Sequence, residues 1–263
     1  MKRLLFLFFI ILGILTPAFA KDVRFIQVTD VHITPKTVAK LQNFVNDINK
    51  NFNDVDFVFF TGDNIDHANP EDLVLFLDTV KHIKPRVYVI PGNHDLQRTN
   101  DLTSDTYMKM VHKKLGFYHS SKPNYVFQKG GLVFITMNGV KEIIPGPNGY
   151  YKKDELAWLD KQLTKYKNKK VVILQHFPLL KARVKSHNLY GTEAYLEVLN
   201  KHNNVIAIVS GHYHENKEVV QNNVYNIVTK NFSGNRYYKL IEINGDDGFI
   251  YTSLIDNIPN LKD

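Results

Sequence analysis

The chain of 263 residues contains no cysteine and a single tryptophan. Without cysteine there is no disulfide scaffold, no thiolate-ligated zinc, no iron–sulfur cluster and no cysteine nucleophile. Beyond residue 20 no apolar run approaches the roughly 18–20 residues of a membrane span, so a polytopic membrane protein is excluded. Linkers, internal repeats and low-complexity stretches are also missing. What is present is core material. Hydrophobic residues make up 44% of the chain and aromatics 12%, too much for a disordered protein.

Lys2 and Arg3 precede an apolar run over residues 4–15, followed by Thr16, Pro17 and the small-x-small end Ala18-Phe19-Ala20. A basic head, an apolar stretch and such an end describe a secretory signal cleaved after Ala20. The rival is an uncleaved anchor, for which residues 4–20 sit at the lower edge of the required length. The expected product is one exported domain over residues 21–263, secreted, periplasmic or on the cell envelope, with no transmembrane span. Cleavage removes Lys2 and Arg3 and no acid, so the net charge falls from +7 to +5. That sign favours anionic partners such as phosphate esters, although solubility alone explains it equally well.

In the remaining chain, apolar β-branched runs alternate with amphipathic segments. Strands are predicted at residues 23–28, 55–60, 87–90, 125–127, 132–137, 171–174, 205–209, 224–228 and 237–243. Helices are predicted at 38–49, 71–82, 105–115, 154–166 and 193–201. Asn69-Pro70 reads as a helix start and Thr192 as a weaker cap. Leu156, Leu159 and Leu163 form an inner stripe flanked by Trp158. Alternation of strand and helix argues for an α/β fold with mostly parallel strands. The part from Val224 on reads as antiparallel.

The chemistry lies at the strand ends. Five apolar runs lead into Thr29-Asp30-Val31-His32, Thr61-Gly62-Asp63-Asn64, Pro91-Gly92-Asn93-His94-Asp95, Gln175-His176-Phe177-Pro178 and Ser210-Gly211-His212-Tyr213-His214. In open α/β sheets, sites form at the carboxyl ends of strands. Five such ends at one rim gather oxygen and imidazole ligands without sulfur, a set that suits Mn, Fe, Zn, Co or Ni. Seven side chains hold two divalent metals if one carboxylate bridges them, and Asp63 beside Gly62 is the natural bridge. Asp30 and Asp63 then leave about two positive charges, which attract a phosphate anion and make water acidic near neutral pH.

This order of motifs resembles the calcineurin-like metallophosphoesterase superfamily: Asp-x-His, Gly-Asp, Gly-Asn-His-Asp, a later His and Gly-His-x-His, spread over residues 30–214. The resemblance implies a four-layer α-β-β-α sandwich, two mixed β-sheets flanked by helices. It implies that Asp30, His32, Asp63 and His214 bind one metal and that Asp63, Asn93, His176 and His212 bind the other. It further implies a metal-bridging hydroxide that attacks phosphorus, with Asn93 and His94 on the substrate and His94 assisting. Asp95 is expected to orient the His94 ring or to cap a turn, and Asp66 to act in a supporting or structural role. His32 and the lack of an apparent tyrosine ligand disfavour the purple acid phosphatases. Among branches the chain is similar to the class III cyclic-nucleotide phosphodiesterases, although Gln175-His176 departs from the His-His-Pro form of that branch. Substrate identity and the choice between monoester and diester therefore stay open.

Substrate choice is expected in the segments after ligand-bearing strands, residues 96–124 and 178–191. Arg98, Lys181 and Arg183 are candidates for phosphate, and Phe177, Tyr190 and Tyr213 for stacking on a base. His67, His82, His112, His119, His187 and His202 fall outside the pattern and read as surface or packing residues. No basic stripe or RNA-binding motif points to nucleic acid. The alternative function is a non-catalytic binding or adhesive module on the same scaffold. Scaffolds that lose catalysis tend to lose ligands, and none is missing here.

Overall fold

The structure, a computed structural model, describes residues 21–116 and 120–256. The expected signal segment and His119 lie outside the described residues. Eleven strands form two mixed sheets. The first has the order β11 (Ile250–Ile255), β10 (Tyr238–Ile243), β1 (Val23–Val28), β2 (Phe57–Phe60), β3 (Arg86–Val89). The second has the order β4 (Val126–Lys129), β5 (Leu132–Met137), β6 (Val171–Gln175), β7 (Val205–Ser210), β9 (Val224–Val228), β8 (Lys217–Gln221). Strands β1, β2 and β3 run parallel, as do β5, β6, β7 and β9. Their near-continuous apolar sequences follow from this, since a central parallel strand is covered on both faces. All four residues of β2, Phe-Val-Phe-Phe, are buried.

Helices α1 (Val38–Asn51), α2 (Pro70–Val80) and α3 (Ser104–Leu115) neighbour one another on the first sheet, and α4 (Lys153–Lys165) and α5 (Thr192–Leu199) pair on the second. Alternation along β2 ties the layers together. Phe60 points outward, with its ring 5.1 Å from Phe76 of α2 and 6.2 Å from Phe44 of α1. Phe57 points inward and lies 5.2 Å from Phe134 and 5.4 Å from Phe127 of the second sheet. One contiguous cluster of buried apolar residues runs through both sheets. Leu156, Leu159 and Leu163 are the buried stripe of α4, and Trp158 packs half-buried beside it.

Asn69 caps α2 by accepting from the Glu71 amide, with Pro70 at the first helical position. Thr192 does not cap α5. Gly191 holds the cap in a left-handed conformation, and the Thr192 hydroxyl donates to the Leu189 carbonyl instead. The expectation of antiparallel pairing from Val224 on holds for β10 and β11 and for β9 against β8, but β9 lies parallel to β7. Among the described residues no helix is long and apolar enough to cross a membrane.

Candidate metal centre

Because β1, β2 and β3 run parallel, their carboxyl ends share one edge, and β6 and β7 present theirs likewise. Past the strand ends the backbone ladder continues. Asp30 N donates to Gly62 O at 3.0 Å, His32 N to Asp63 O at 3.0 Å and Gly211 N to His176 O at 3.1 Å. The two edges are joined where the His176 Nδ1–H donates to Thr61 O at 2.9 Å, since a carbonyl can only accept. That bond leaves Nε2 of His176 facing Asp63 Oδ2 at 3.3 Å and Asn93 Oδ1 at 3.2 Å.

All seven expected ligands converge. Ligand atoms of Asp30, His32 and His214 lie within 4.8 Å of one another, and so do those of Asp63, His176 and His212. Asp63 joins the two groups through one oxygen. Oδ2 is 3.3 Å from His176 Nε2 and 3.9 Å from His32 Nε2, whereas Oδ1 accepts the His94 amide at 2.8 Å. Asp30 is used in the same divided way. Oδ2 accepts from the Thr29 hydroxyl and the His212 amide, and Oδ1 faces His214 Nε2 at 3.2 Å.

The backbone is bent to achieve this. Asp30, His32, Asp63, His212 and His214 all have φ between 47° and 68°, in the left-handed region that non-glycine residues avoid. Two glycines make room. At Gly62, with φ of 99°, a Cβ would lie 2.7 Å from His176 Nδ1 and from Gly92 N. At Gly211 a Cβ would lie 1.8 Å from Thr29 Oγ1 and 2.7 Å from Asp30 Oδ2.

The donor set fits divalent cations. Asp30 Oδ1, both ring nitrogens of His32 and Nε2 of His212 are buried without hydrogen-bond partners. Orphaned buried polar atoms are costly and rare, and their gathering in adjoining clusters of carboxylates and imidazoles fits cation binding. In the metal-free protein, protons stand in for part of that charge. Burial works against ionisation of Asp63, yet the His176 imidazolium holds it well below the usual carboxylate range. Burial would likewise lower His176, but Asp63 and then Asp30 carry it up to about 9. Burial and the neighbouring His176 charge push His212 down to about 3. Burial also lowers His32, while the facing Asp30 carboxylate raises His214.

His94 stands at the rim, its ring 4.6 Å from that of His32. Its Nδ1–H donates to the Asp66 carbonyl at 2.7 Å. Asp95 does not orient it. The Asp95 carboxylate is buried and accepts from the amides of Asn64, Ile65 and Gly92 and from Asn64 Nδ2. It braces the Gly62–Ile65 turn against the Gly92–Asp95 turn, the capping alternative. Burial and the Asp63 charge raise its carboxyl to about 7. Asp66 is the carboxylate near an imidazole: Oδ1 lies 3.6 Å from His32 Nδ1. His32, Asp66 and His94 thus form a third convergence that shares His32.

A cavity of about 180 Å³ opens over Asp63, Asn93, His94 and His212 and is walled by Arg183 and His187. His187, expected as a surface or packing residue, has its ring 5.3 Å from that of His212. No motif contains it, and its only signal was its place in the segment after His176. Phe177 is not available for stacking on a base. It is fully buried under the site, 5.0 Å from the His176 ring and 4.8 Å from the His212 ring. Tyr213 is half-buried and donates its hydroxyl to Leu180 O, and Arg98 pairs with Glu142. Gln175, the departure from His-His-Pro, is a buried brace between the Phe177 carbonyl and the Tyr195 hydroxyl.

Two carboxylates, an asparagine and four imidazoles gathered over a cavity define a metal-dependent hydrolase of the phosphoesterase class. The pattern of the calcineurin-like phosphoesterases matches residues 23–216, and the chain belongs to that family. Among curated relatives it is 29% identical over 213 residues to "Probable glycerophosphodiester phosphodiesterase GpdQ" of Arcobacter nitrofigilis, covering 76% of this chain and 74% of that protein. It is 26% identical over 207 residues to the 3',5'-cyclic adenosine monophosphate phosphodiesterase CpdA of Haemophilus influenzae, covering 73% of this chain and 70% of that protein. Among solved structures it resembles a dimetal phosphatase from Danio rerio with a TM-score of 0.63 at 17% identity, covering 88% of this chain and 98% of that one.

Proposed function

We propose that the chain is an exported phosphodiesterase that holds two divalent cations and cleaves small phosphate diesters, with phosphate monoesters as lesser substrates. The observation that carries this reading is the set of buried ligand atoms without hydrogen-bond partners on Asp30, His32 and His212, beside a cavity lined by Asp63, His94 and His212. Asp30, His32, His214 and Asp63 are assigned to one cation, of the Mn, Fe, Zn, Co or Ni group; Asp63, Asn93, His176 and His212 are assigned to the other. When bound, the cations supply the charge that draws a phosphate in and the acidity that makes water nucleophilic near neutral pH. The names of the relatives, a glycerophosphodiester and a cyclic-nucleotide phosphodiesterase, favour diesters.

The residues themselves do the rest. With Nδ1–H committed to the Asp66 carbonyl, His94 has Nε2 left for the cavity. Protonated there, it donates to a phosphoryl oxygen or to the departing alcohol oxygen. Asn93 divides its work: its side-chain oxygen faces His176, and the residue lines the cavity floor. Asp95 touches no substrate in this scheme; it keeps the two turns in register.

The test uses the protein with Mn²⁺ on bis-aryl and mono-aryl phosphate. Diester turnover is expected, and EDTA abolishes it. Asp63→Asn loses metal and turnover together. His94→Ala keeps its metal and loses on the order of 10²–10⁴ in rate, the usual range for a general acid. Metal content under about one equivalent with no turnover on either ester would instead support the non-catalytic module.

A further inference from the structure

Eight large hydrophobic side chains are exposed among the described residues, and five of them, Ile143, Ile144, Tyr150, Val184 and Tyr190, sit on two loops that each contribute residues to the cavity wall. The loops are residues 141–150 and 178–191. They meet where Tyr190 N donates to Gly149 O at 3.0 Å and Tyr150 and Tyr190 form a parallel bridge. Pro147 from one and Val184 from the other line the same cavity as His94 and His212, and Pro145 and Pro147 line the adjoining groove beside His94. Ile143 and Ile144 are 67% and 76% exposed. A monomer seldom gathers its exposed apolar side chains in one place without a use for them.

The charge on these loops is mainly positive, although Arg183 faces Glu215 of the cavity wall at 3.7 Å. They carry Lys141, Lys181, Arg183 and Lys185 against Glu142 alone. Glu142 is turned inward, accepting from the Ser104 amide and hydroxyl and pairing with Arg98. Lys141 lies 5.4 Å over the Tyr190 ring. Exposed apolar side chains and cations on the same loops is the composition that seats a protein on an anionic bilayer.

We propose that this rim docks on an anionic phospholipid surface and that the substrate class of the site is a phospholipid headgroup phosphodiester, presented from that surface. The proposal rests on the phosphodiesterase reading above. Ile143, Ile144 and Val184 enter the acyl boundary, Lys181 and Lys185 face lipid phosphates, and the cavity is left open to a single headgroup. Hydrolysis adds water across one ester bond. The water oxygen joins phosphorus, the P–O bond to the alcohol breaks, and the alcohol oxygen takes the proton.

The experiment compares phosphatidylglycerol in phosphatidylcholine vesicles with glycerophosphoglycerol, the same headgroup without chains, using the full metal-loaded chain. The wild type is expected to have kcat/KM roughly tenfold or more higher on the vesicles, an advantage that shrinks with added salt. Ile143→Ser/Ile144→Ser is expected to lose most of that advantage and to keep the rate on glycerophosphoglycerol. Lys181→Glu/Lys185→Glu is expected to lose the salt dependence. Equal rates on the two forms, or an unchanged vesicle rate in the isoleucine variant, would overturn the proposal while leaving the phosphodiesterase reading intact. So would a raised KM for a soluble cyclic nucleotide in that variant, which would make the rim a base subsite, or loss of a dimer on sedimentation, which would make it a contact between copies. No turnover on glycerophosphoglycerol, vesicles or aryl diesters would overturn both.

Discussion

His214 allows the backbone cost of the metal centre to be measured. It has φ of 54° and a side chain 46% exposed, so truncating it opens no core cavity. Replacement by alanine or by glycine removes the same contacts, to Asp30 Oδ1 and to the His32 ring. Those losses cancel when the two variants are compared. What differs is the backbone. A left-handed conformation costs an L-residue about 1–2 kcal/mol and glycine almost nothing. Against that, glycine gives up about 0.4–1 kcal/mol more chain entropy on folding. At mid-range the balance favours His214→Gly over His214→Ala by about 0.8 kcal/mol, the reverse of the ordinary order. Urea unfolding in EDTA reads the difference without metal linkage, and in a chain of this size it corresponds to a Tm gap of about 1–4 °C. Lys161, exposed within α4, is the control; there glycine should be the less stable by about 1 kcal/mol. An alanine variant at 214 equal to or more stable than the glycine variant would refute the claim that the centre is strained.

The metal-free protein should lose stability as pH rises through the alkaline range. His176 is held up to about 9 in the folded state, so its contribution is complete below its unfolded value near 6.5 and gone above 9. The loss amounts to about 3 kcal/mol, read as a falling urea midpoint, and His176→Gln should flatten it; a flat wild-type profile contradicts the reading. Gly211→Ala should fold and yet bind at least tenfold less metal by isothermal titration, because the new methyl must displace Thr29 or Asp30. Wild-type affinity would show that the turn gives way freely. Far from the site, the buried Lys239 ammonium pairs with Glu218, which also accepts from Tyr225 and Thr252. Glu218→Gln should cost about 3–5 kcal/mol and the double variant Glu218→Gln/Lys239→Met much less, and equal losses in urea would mean the charge pair is not the cause.

The sequence makes some parts of this molecule readable and hides others, for physical reasons. Strands buried on both faces, such as Phe57–Phe60 and Val171–Gln175, advertise themselves as unbroken apolar runs. Edge strands do not. Lys217–Gln221 reads Lys-Glu-Val-Val-Gln, and Ile250–Ile255 alternates without a fully buried face. The convergence of the seven candidate ligands was legible because five separate motifs each followed a strand. The choice between the two readings of Asp95 was not legible, and Phe177 was misread, because their neighbours come from other strands. Asp95 meets the amides of residues 64 and 65, and Phe177 lies beneath two histidine rings that are adjacent only in space. His187 and the apolar rim had no motif to announce them, since loops over a scaffold are free to vary. The antiparallel reading of the last strands failed at β9 because nothing in a short strand's own sequence says which neighbour it will find.

The division of ligands between the sheets has an energetic consequence. Asp30, His32, Asp63 and Asn93 follow strands of the first sheet, and His176, His212 and His214 follow strands of the second. Neither sheet can complete either cluster alone. The metal-free protein is nonetheless held at this seam, by His176 on Thr61 and Asp63 and by Gln27, whose amide donates to both Thr61 Oγ1 and Ser210 O. An Asp63–His176 ion pair therefore stands at the proposed cation site, and if His176 takes a cation there as proposed, its proton would have to leave. On that assignment metal binding would release protons and strengthen with pH over the same range in which the metal-free protein weakens. The two effects have one cause, the single proton shared across the sheet junction, so a His176 variant that flattens one should flatten the other.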